Sequence, residues 1–155
     1  RQIYQNGAYY ETFGGKRMNI DSVKTGFVID HIGAGNGMKL YSLLHLDDLD
    51  CPVAMIRNVP SVKKGKKDII KIDADIDIDL DVIGYVDPSV TVNVIRNGEI
   101  VEKKKISAPE KLTNVLFCKN PRCITSTEAD LDHVFRLTDP ETKTYRCIYC
   151  DTKQN

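Results

Sequence analysis

The chain has 155 residues, 41% of them hydrophobic, which is enough to fill one domain or two small ones and too many for a wholly disordered polypeptide. Lys plus Arg total 22 and Asp plus Glu total 22, so the formal net charge is zero and any polyanion must be bound by a local cluster, not by an overall positive field. No apolar run approaches the roughly 20 residues that cross a bilayer, and the N-terminus has no apolar signal segment, so a soluble, cytoplasmic protein without a membrane partner is expected.

Residues 1–17 hold three Tyr, three Gly and no sustained period. They read as a flexible tail, or as an extension ahead of a natural start at Met18. From Met18 the pattern is α+β. Phe27-Val28-Ile29 and Ile32 predict a short strand broken at Asp30-His31, and a glycine-rich loop follows over 33–37. Met38, Leu40, Tyr41, Leu43, Leu44 and Leu46 then recur at helical spacing, with Asn36 as the expected N-cap. Cys51, before Pro52 in an apolar setting, reads as an inert core thiol. Val53 to Ile56 predicts a second strand, Pro60 to Lys67 a basic loop whose Lys63, Lys64 and Lys66 are solvated, and Ile69, Ile70 and Ile72 a third strand, giving β-α-β-β.

Asp73 to Asp81 alternates Asp with Ala, Ile, Ile and Leu, which by period predicts a half-buried strand continuing from Ile72 with an acidic edge. Calcium is rejected, because an EF-hand loop starting at Asp75 would need Gly where Leu80 stands. A short helix is expected over 82–86, stopped by Pro88. Thr91 to Lys103 carries Asn97-Gly98 between alternating apolar residues, the cue for a hairpin whose type I′ turn needs positive φ at both central positions. An ideal hairpin sets Arg96 opposite Glu99, Ile95 opposite Ile100 and Asn93 opposite Glu102. Lys103 then projects away from the face of Asn93 and Ile95, unless a bulge re-aims it or the strand has ended. Ala108 to Lys111 reads as a linker.

Four of the five cysteines fall near the C-terminus: Cys118, Cys123, Cys147 and Cys150 form C-x4-C, a 23-residue gap, then C-x2-C. Two short loops each offering two thiolates supply the corners of a tetrahedral zinc site with no position left for water, so one structural Zn2+ is expected. Two disulfides are the competing reading. A segment of about 40 residues seldom folds on its core alone, and structural zinc supplies roughly 10–16 kcal/mol of apparent folding energy, so without metal this segment should melt.

No nucleophile elbow, H-E-x-x-H, P-loop or zinc-deaminase signature is present: Ile32-Gly33 follows His31, and Val134-Phe135 follows His133. Catalysis by the chain alone is not expected. A rival reading is a nucleic-acid-binding zinc ribbon, using Lys119, Arg122, Arg136, Lys143 and Arg146, with Tyr145 and Tyr149 as stacking platforms. Neutral total charge and the acidic run at 73–81 stand against it.

The order of motifs resembles the regulatory chain of aspartate carbamoyltransferase, from about Met18 to Asp151. The pieces that carry the resemblance are Val28-Ile-Asp-His-Ile32, Gly37-Met-Lys39, Lys67-Asp-Ile-Ile-Lys-Ile72, Thr91-Val-Asn93, Asn114-Val-Leu and the cysteine spacing. The resemblance implies a ferredoxin-like allosteric domain over 18–108, a linker at 109–113 and a small β-rich, zinc-ribbon-like domain over 114–155. It implies a non-catalytic subunit that binds CTP, ATP and UTP and modulates a catalytic chain in pyrimidine biosynthesis. The partners implied are that catalytic chain and a second regulatory copy, in a dodecamer of catalytic trimers and regulatory dimers, with no nucleic acid. By motif, Asp30 and His31 would lie by ribose and phosphate, Lys71 by ribose and base, and Lys103 on the phosphates. Ile20, Asp21, Ser22 and Val23 would line the base, and Val28, Asn93, Ile95 and Ile100 would complete the pocket. Lys119, Asn120, Arg122 and Tyr149, around the metal loops, are the residues expected to dock on the partner.

Overall fold

The computed structural model describes residues 2–5, 8–13, 16–20 and 23–154. Three antiparallel strands, β1 (Gln2–Gln5), β2 (Ala8–Phe13) and β3 (Lys16–Ile20), run through the stretch expected to hold no regular element. Asp21 and Ser22 lie outside the described residues, and Ile20 is described only as the last residue of β3.

The following elements are β4 (Gly26–Gly33), α1 (Asn36–Leu43), β5 (Val53–Ser61), β6 (Gly65–Ile72), α2 (Leu80–Val86), β7 (Thr91–Arg96) and β8 (Glu99–Lys105). Their sheet is antiparallel in the order β5-β6-β4-β7-β8. Each helix crosses between two strands that flank a third, the split β-α-β arrangement of the ferredoxin-like fold, and β8 adds one hairpin strand at the edge. On one face Ile29, Ile70, Ile72 and Val92 pack against Leu40, Leu46 and Ile83 of the helical layer. The opposite face gathers Val23, Val28, Val59, Ile69 and Ile95, with Ile56 and Ile100 beside them.

The break expected at Asp30-His31 is a bulge inside one continuous strand: Ile29 pairs with Ile70 but Ile32 with Asp68, so two residues of β4 oppose one of β6. A second bulge in β5 separates the Ile56–Ile69 pair from the Val59–Lys67 pair. Asp68 sits fully buried where the two bulges meet. Its carboxylate accepts the Asn58 N–H at 3.0 Å, Gly35 N–H at 3.0 Å and Gly37 N–H at 3.1 Å. Asn36 is therefore not the N-cap of α1. Gly35 holds that position with φ 94°, and Asp68 satisfies the first helical donors from a neighbouring strand, as a capping side chain would. Gly37 makes this approach possible, since a Cβ there would stand 2.8 Å from Asp68 Oδ2.

Residues 73–79 form no strand. Ile76, Ile78 and Leu80 pack on the helix-side core as an extended strap, so the alternation reports one apolar face and not a ladder. The carboxylates between them serve local ends: Asp73 accepts the Lys24 and Thr25 N–H groups, Asp75 pairs with Arg96 at 3.1 Å, and Asp79 caps α2 through the Asp81 and Val82 N–H groups. Asn97 and Gly98 have φ 52° and 78°, as the turn requires. Arg96–Glu99 and Ile95–Ile100 pair as expected, but Val94 faces Glu102 and Asn93 faces Lys103.

The C-terminal sheet has the order β11-β10-β9, built from β9 (Lys111–Thr113), β10 (Val134–Asp139) and β11 (Thr144–Cys147). Residues 111–113, expected to belong to a linker, are thus an edge strand pairing with β10. Leu112, Phe135 and Tyr145 form its core together with Cys123 and Cys147. Tyr85 of α2 packs on this core, its ring meeting Tyr145 edge-on at 5.4 Å between centroids.

Candidate metal centre and effector face

Cys118 and Cys123 lie on the loop after β9, Cys147 closes β11, and Cys150 follows in a tight turn where Asp151 adopts φ 59°. The Asp151 N–H donates to the Cys147 carbonyl at 2.9 Å, and Cys147 N–H to Thr152 O at 2.9 Å, so this loop folds back around its two sulfurs. All four Sγ atoms lie within 4.8 Å of one another. Cys118 to Cys150 is 3.6 Å and Cys123 to Cys147 is 3.8 Å. A tetrahedron with metal–sulfur bonds of about 2.3 Å has edges of about 3.8 Å, whereas a disulfide would bring two sulfurs to about 2.05 Å. All five cysteines are free thiols. The arrangement fits a metal cage and excludes the disulfide alternative.

Burial pushes the Cys118 thiol up to about 12 and raises that of Cys147, while the Thr152 hydroxyl, 3.1 Å from Cys150 Sγ, brings Cys150 down to about 6. Four sulfurs this close cannot all ionise beside one another unless a cation compensates. The Thr125 hydroxyl donates to Cys123 Sγ at 3.2 Å, a second partner suited to a thiolate.

Two supports of this centre escape the cysteine spacing. His133 Nδ1 accepts the Cys118 N–H at 3.1 Å, and its ring packs edge-on against Phe117 at 5.0 Å. Asn114, at φ 56°, accepts the His133 N–H at 2.9 Å and donates to Asp132 at 2.9 Å. In the sequence the Asn114-Val-Leu motif marks the first of these residues, and nothing there ties His133 to Cys118.

Around the loops, Lys119, Arg122 and Tyr149 are exposed alongside Phe117, Ile124 and Ile148. Asn120 is half-buried and holds the loop itself: its Oδ1 accepts the Arg122 N–H, and its carbonyl accepts Cys123 N–H and the Ser126 hydroxyl. The stacking platforms of a nucleic-acid ribbon are reduced, since Tyr145 is fully buried and its hydroxyl donates to Pro109 O at 2.7 Å. Arg136 and Arg146 are both engaged by Asp151.

On the helix-free face of the larger sheet, cross-strand pairing places Ala54, Lys71, Val28, Asn93 and Lys103 in one row. Ile95 and Ile100 form the next pair along β7 and β8, and Val23 joins them in the same apolar cluster. Lys71 and Asn93 are buried, and Asn93 Oδ1 has no hydrogen-bond partner among the described residues. Lys103 is exposed at the row's end. The bulge admitted in the sequence reading is present between the Ile95 and Val94 pairs, where Val101 is skipped, and it carries Lys103 to the face of Asn93.

Beyond Val28 on β4, Asp30 Oδ1 accepts the His31 N–H at 2.6 Å and meets Lys67 Nζ at 3.0 Å. Burial works to raise the Asp30 carboxyl, but the Lys67 ammonium and the His31 N–H outweigh it and hold it below the ordinary range. His31 has φ 60° at the bulge. With Lys63, Lys67 and the 60–65 turn it lines an open groove of about 660 Å³. Lys67 was missed in the sequence, although its spacing of two and four from Ile69 and Lys71 puts all three on one strand face. Lys64 is exposed, as expected, but its ammonium is not idle: it donates to the His31 carbonyl and the Ser89 hydroxyl.

Residues 18–107 match the family described as the aspartate carbamoyltransferase regulatory chain, allosteric domain, and residues 110–155 match that chain's metal binding domain. Among curated relatives, the aspartate carbamoyltransferase regulatory chain of Clostridium botulinum is 50% identical over 134 residues, covering 86% of this chain and 92% of the relative. That of Clostridium tetani is 50% identical over 135 residues, covering 86% and 94%. The Bifidobacterium longum chain is 45% identical over 134 residues, covering 86% and 96%.

Proposed function

This chain belongs to the family of aspartate carbamoyltransferase regulatory chains, and from that premise we propose that its helix-free sheet face binds nucleoside triphosphates while its metal domain docks on the catalytic chain. It is the regulatory and not the catalytic member. Among the described residues no helix is long and apolar enough to cross a membrane.

The observation that carries the nucleotide reading is the cross-sheet row from Lys71 through Val28 and Asn93 to Lys103. It offers a base an apolar bed of Val23, Val28, Ile95 and Ile100, with a buried amide oxygen on Asn93 to read it. Lys103 takes the phosphates as a point-charge donor, with Asp30 and His31 beside the sugar and phosphate, and Lys71 faces the sugar and base. Ile20, Asp21 and Ser22 keep the base-lining role that the family resemblance gives them. CTP, ATP and UTP are the effectors, and they act by binding two quaternary states with different affinity, on the usual scale of about 1–3 kcal/mol.

The metal is zinc, held by Cys118, Cys123, Cys147 and Cys150. When bound, it supplies folding energy and no reactive site, because four thiolates close its coordination. The loops it fixes present Lys119, Arg122 and Tyr149, with Phe117, Ile124 and Ile148, to the catalytic chain, and Asn120 shapes the first loop from within. A second regulatory copy pairs with this one, and the outer edge of β5 supports that reading because it pairs with no further strand among the described residues. Domain limits of 18–108 and 111–155 accompany this division of labour, the second moved forward from 114 because β9 pairs with β10 of the metal domain. Calorimetric titration of CTP and ATP into the full chain tests the effector site, and the absence of binding heat for both would contradict it.

A further inference from the structure

We propose that Lys64 is a positioning residue of the effector groove and the first link of a polar chain that ties the groove to α2. The inference rests on the reading that nucleotide binds beside His31. Lys64 projects from the turn between β5 and β6, and its ammonium donates to two acceptors that are far apart in sequence, the His31 carbonyl and the Ser89 hydroxyl. The His31 peptide is thereby held from both sides, with Asp30 Oδ1 on its N–H and Lys64 on its carbonyl, at a left-handed φ that a non-glycine residue keeps only when its surroundings impose it.

Ser89 passes the contact on. Its hydroxyl donates to Asp87 Oδ1 at 2.5 Å, and its N–H donates to the same oxygen at 3.0 Å. Asp87 is the buried C-cap of α2, and its own N–H donates to Ile83 O at 2.9 Å. Its second oxygen accepts the Gly33 N–H at 2.7 Å, which closes the chain back onto β4 just past the bulge. A ligand that moves the His31 peptide therefore pulls on Lys64, Ser89 and the last turn of α2, the helix whose Tyr85 meets Tyr145 of the metal domain.

Amide hydrogen exchange on the full, metal-loaded chain tests this. Without ligand, Lys64→Met should speed exchange of the Gly33 and Ser89 amides, both held by Asp87, by roughly fivefold, the equivalent of one hydrogen bond lost. Lys64→Arg should restore the wild-type rates, and Ser89→Ala should reproduce the Gly33 effect. With saturating CTP, the wild type should slow exchange at His31 and also at Ile83 and Asp87. In Lys64→Met the slowing should persist at His31 and vanish in α2. Unchanged Gly33 and Ser89 exchange in ligand-free Lys64→Met, or equal protection of α2 by CTP in variant and wild type, would overturn the proposal. If neither CTP nor ATP alters exchange anywhere in the wild type, the effector-site reading fails instead, and the ligand-free comparison still decides the role of Lys64.

Discussion

Asn93 faces Lys103 across the β7–β8 pair, although a straight count from the Asn97-Gly98 turn would set Glu102 there. The one-residue offset is taken up at Val101, which stands 59% exposed between the Ile100 and Glu102 pairs. The bulge thus decides which charge the effector face receives, a cation instead of a carboxylate. Lys103→Ala should lower CTP and ATP affinity by at least about tenfold, the scale of a charge-assisted hydrogen bond. Cytidine and adenosine affinities should change much less. Calorimetry showing the triphosphate affinity unaltered would remove Lys103 from the site.

Affinity should also depend on pH through His31. Burial lowers its imidazole below the ordinary 6.5, opposed by Asp30 and reinforced by Lys67, Lys63 and Lys64. A polyphosphate offsets those ammonium charges, so the imidazolium is favoured in the complex and binding takes up a proton. Triphosphate affinity should rise as pH falls from above to below about 6.5, and His31→Gln should flatten the rise. Titrations in two buffers of different ionisation enthalpy measure the proton uptake directly, and a pH slope unchanged in His31→Gln would contradict the assignment.

The Asp30–Lys67 pair, with side chains 10% and 11% exposed, should matter to folding as well. Asp30→Asn leaves a nearly buried ammonium without its counter-charge, and breaking such a pair costs about 3–5 kcal/mol. Because the Asp30 carboxyl lies below its unfolded value of 3.8, its contribution is complete above that pH and is lost as pH falls through the lower folded value. Urea unfolding at neutral pH should therefore show a large loss for Asp30→Asn, and the gap to wild type should shrink only below about pH 4. A gap that stays constant down to pH 3 would rule out an ionised Asp30 as its source.

Freshly prepared, reduced protein should hold one zinc. Cys147→Ala should release it and unfold the C-terminal sheet, whose core includes Cys123 and Cys147. Cys51→Ala should keep it, since Cys51 packs against the other domain's core. Metal analysis finding no zinc in wild type, or zinc retained by Cys147→Ala at full occupancy, would refute the cage.

Legibility in the sequence followed the range of the interactions concerned. The β4, α1, β6 and α2 segments, the hairpin turn and the four metal ligands are each written in a local period or spacing. What escaped depends on residues brought together by the fold. Asp68 caps α1 from another strand, so Asn36 looked like the cap. Asp73 to Asp81 shows the alternation of a strand because one side faces the core, yet it pairs with no neighbour. Lys64 is exposed, as its basic turn suggests, but its two acceptors lie 33 and 25 residues away and could not be read from the turn. The β5 bulge before Val59 is a single-residue event that no periodicity marks, whereas the one at Asp30-His31 shows as a break in the apolar pattern and the one before Lys103 is raised by hairpin parity. At the metal centre the ligands were legible and Asn114 stood in a quoted motif, while the chain of contacts from Asn114 through His133 to Cys118 was not.

Nucleotide binding on this chain should set the activity of a separate catalytic chain. The most direct test is to mix the zinc-loaded chain with purified aspartate carbamoyltransferase catalytic subunit, measure the mass of the product by sedimentation, and record carbamoyltransferase activity against aspartate with and without CTP and ATP. A complex containing both chains should form, with half-saturation by aspartate shifted by at least one of the nucleotides and the shift abolished by Lys103→Ala. Catalytic subunit that sediments alone, or a complex whose aspartate response neither nucleotide moves, would contradict it.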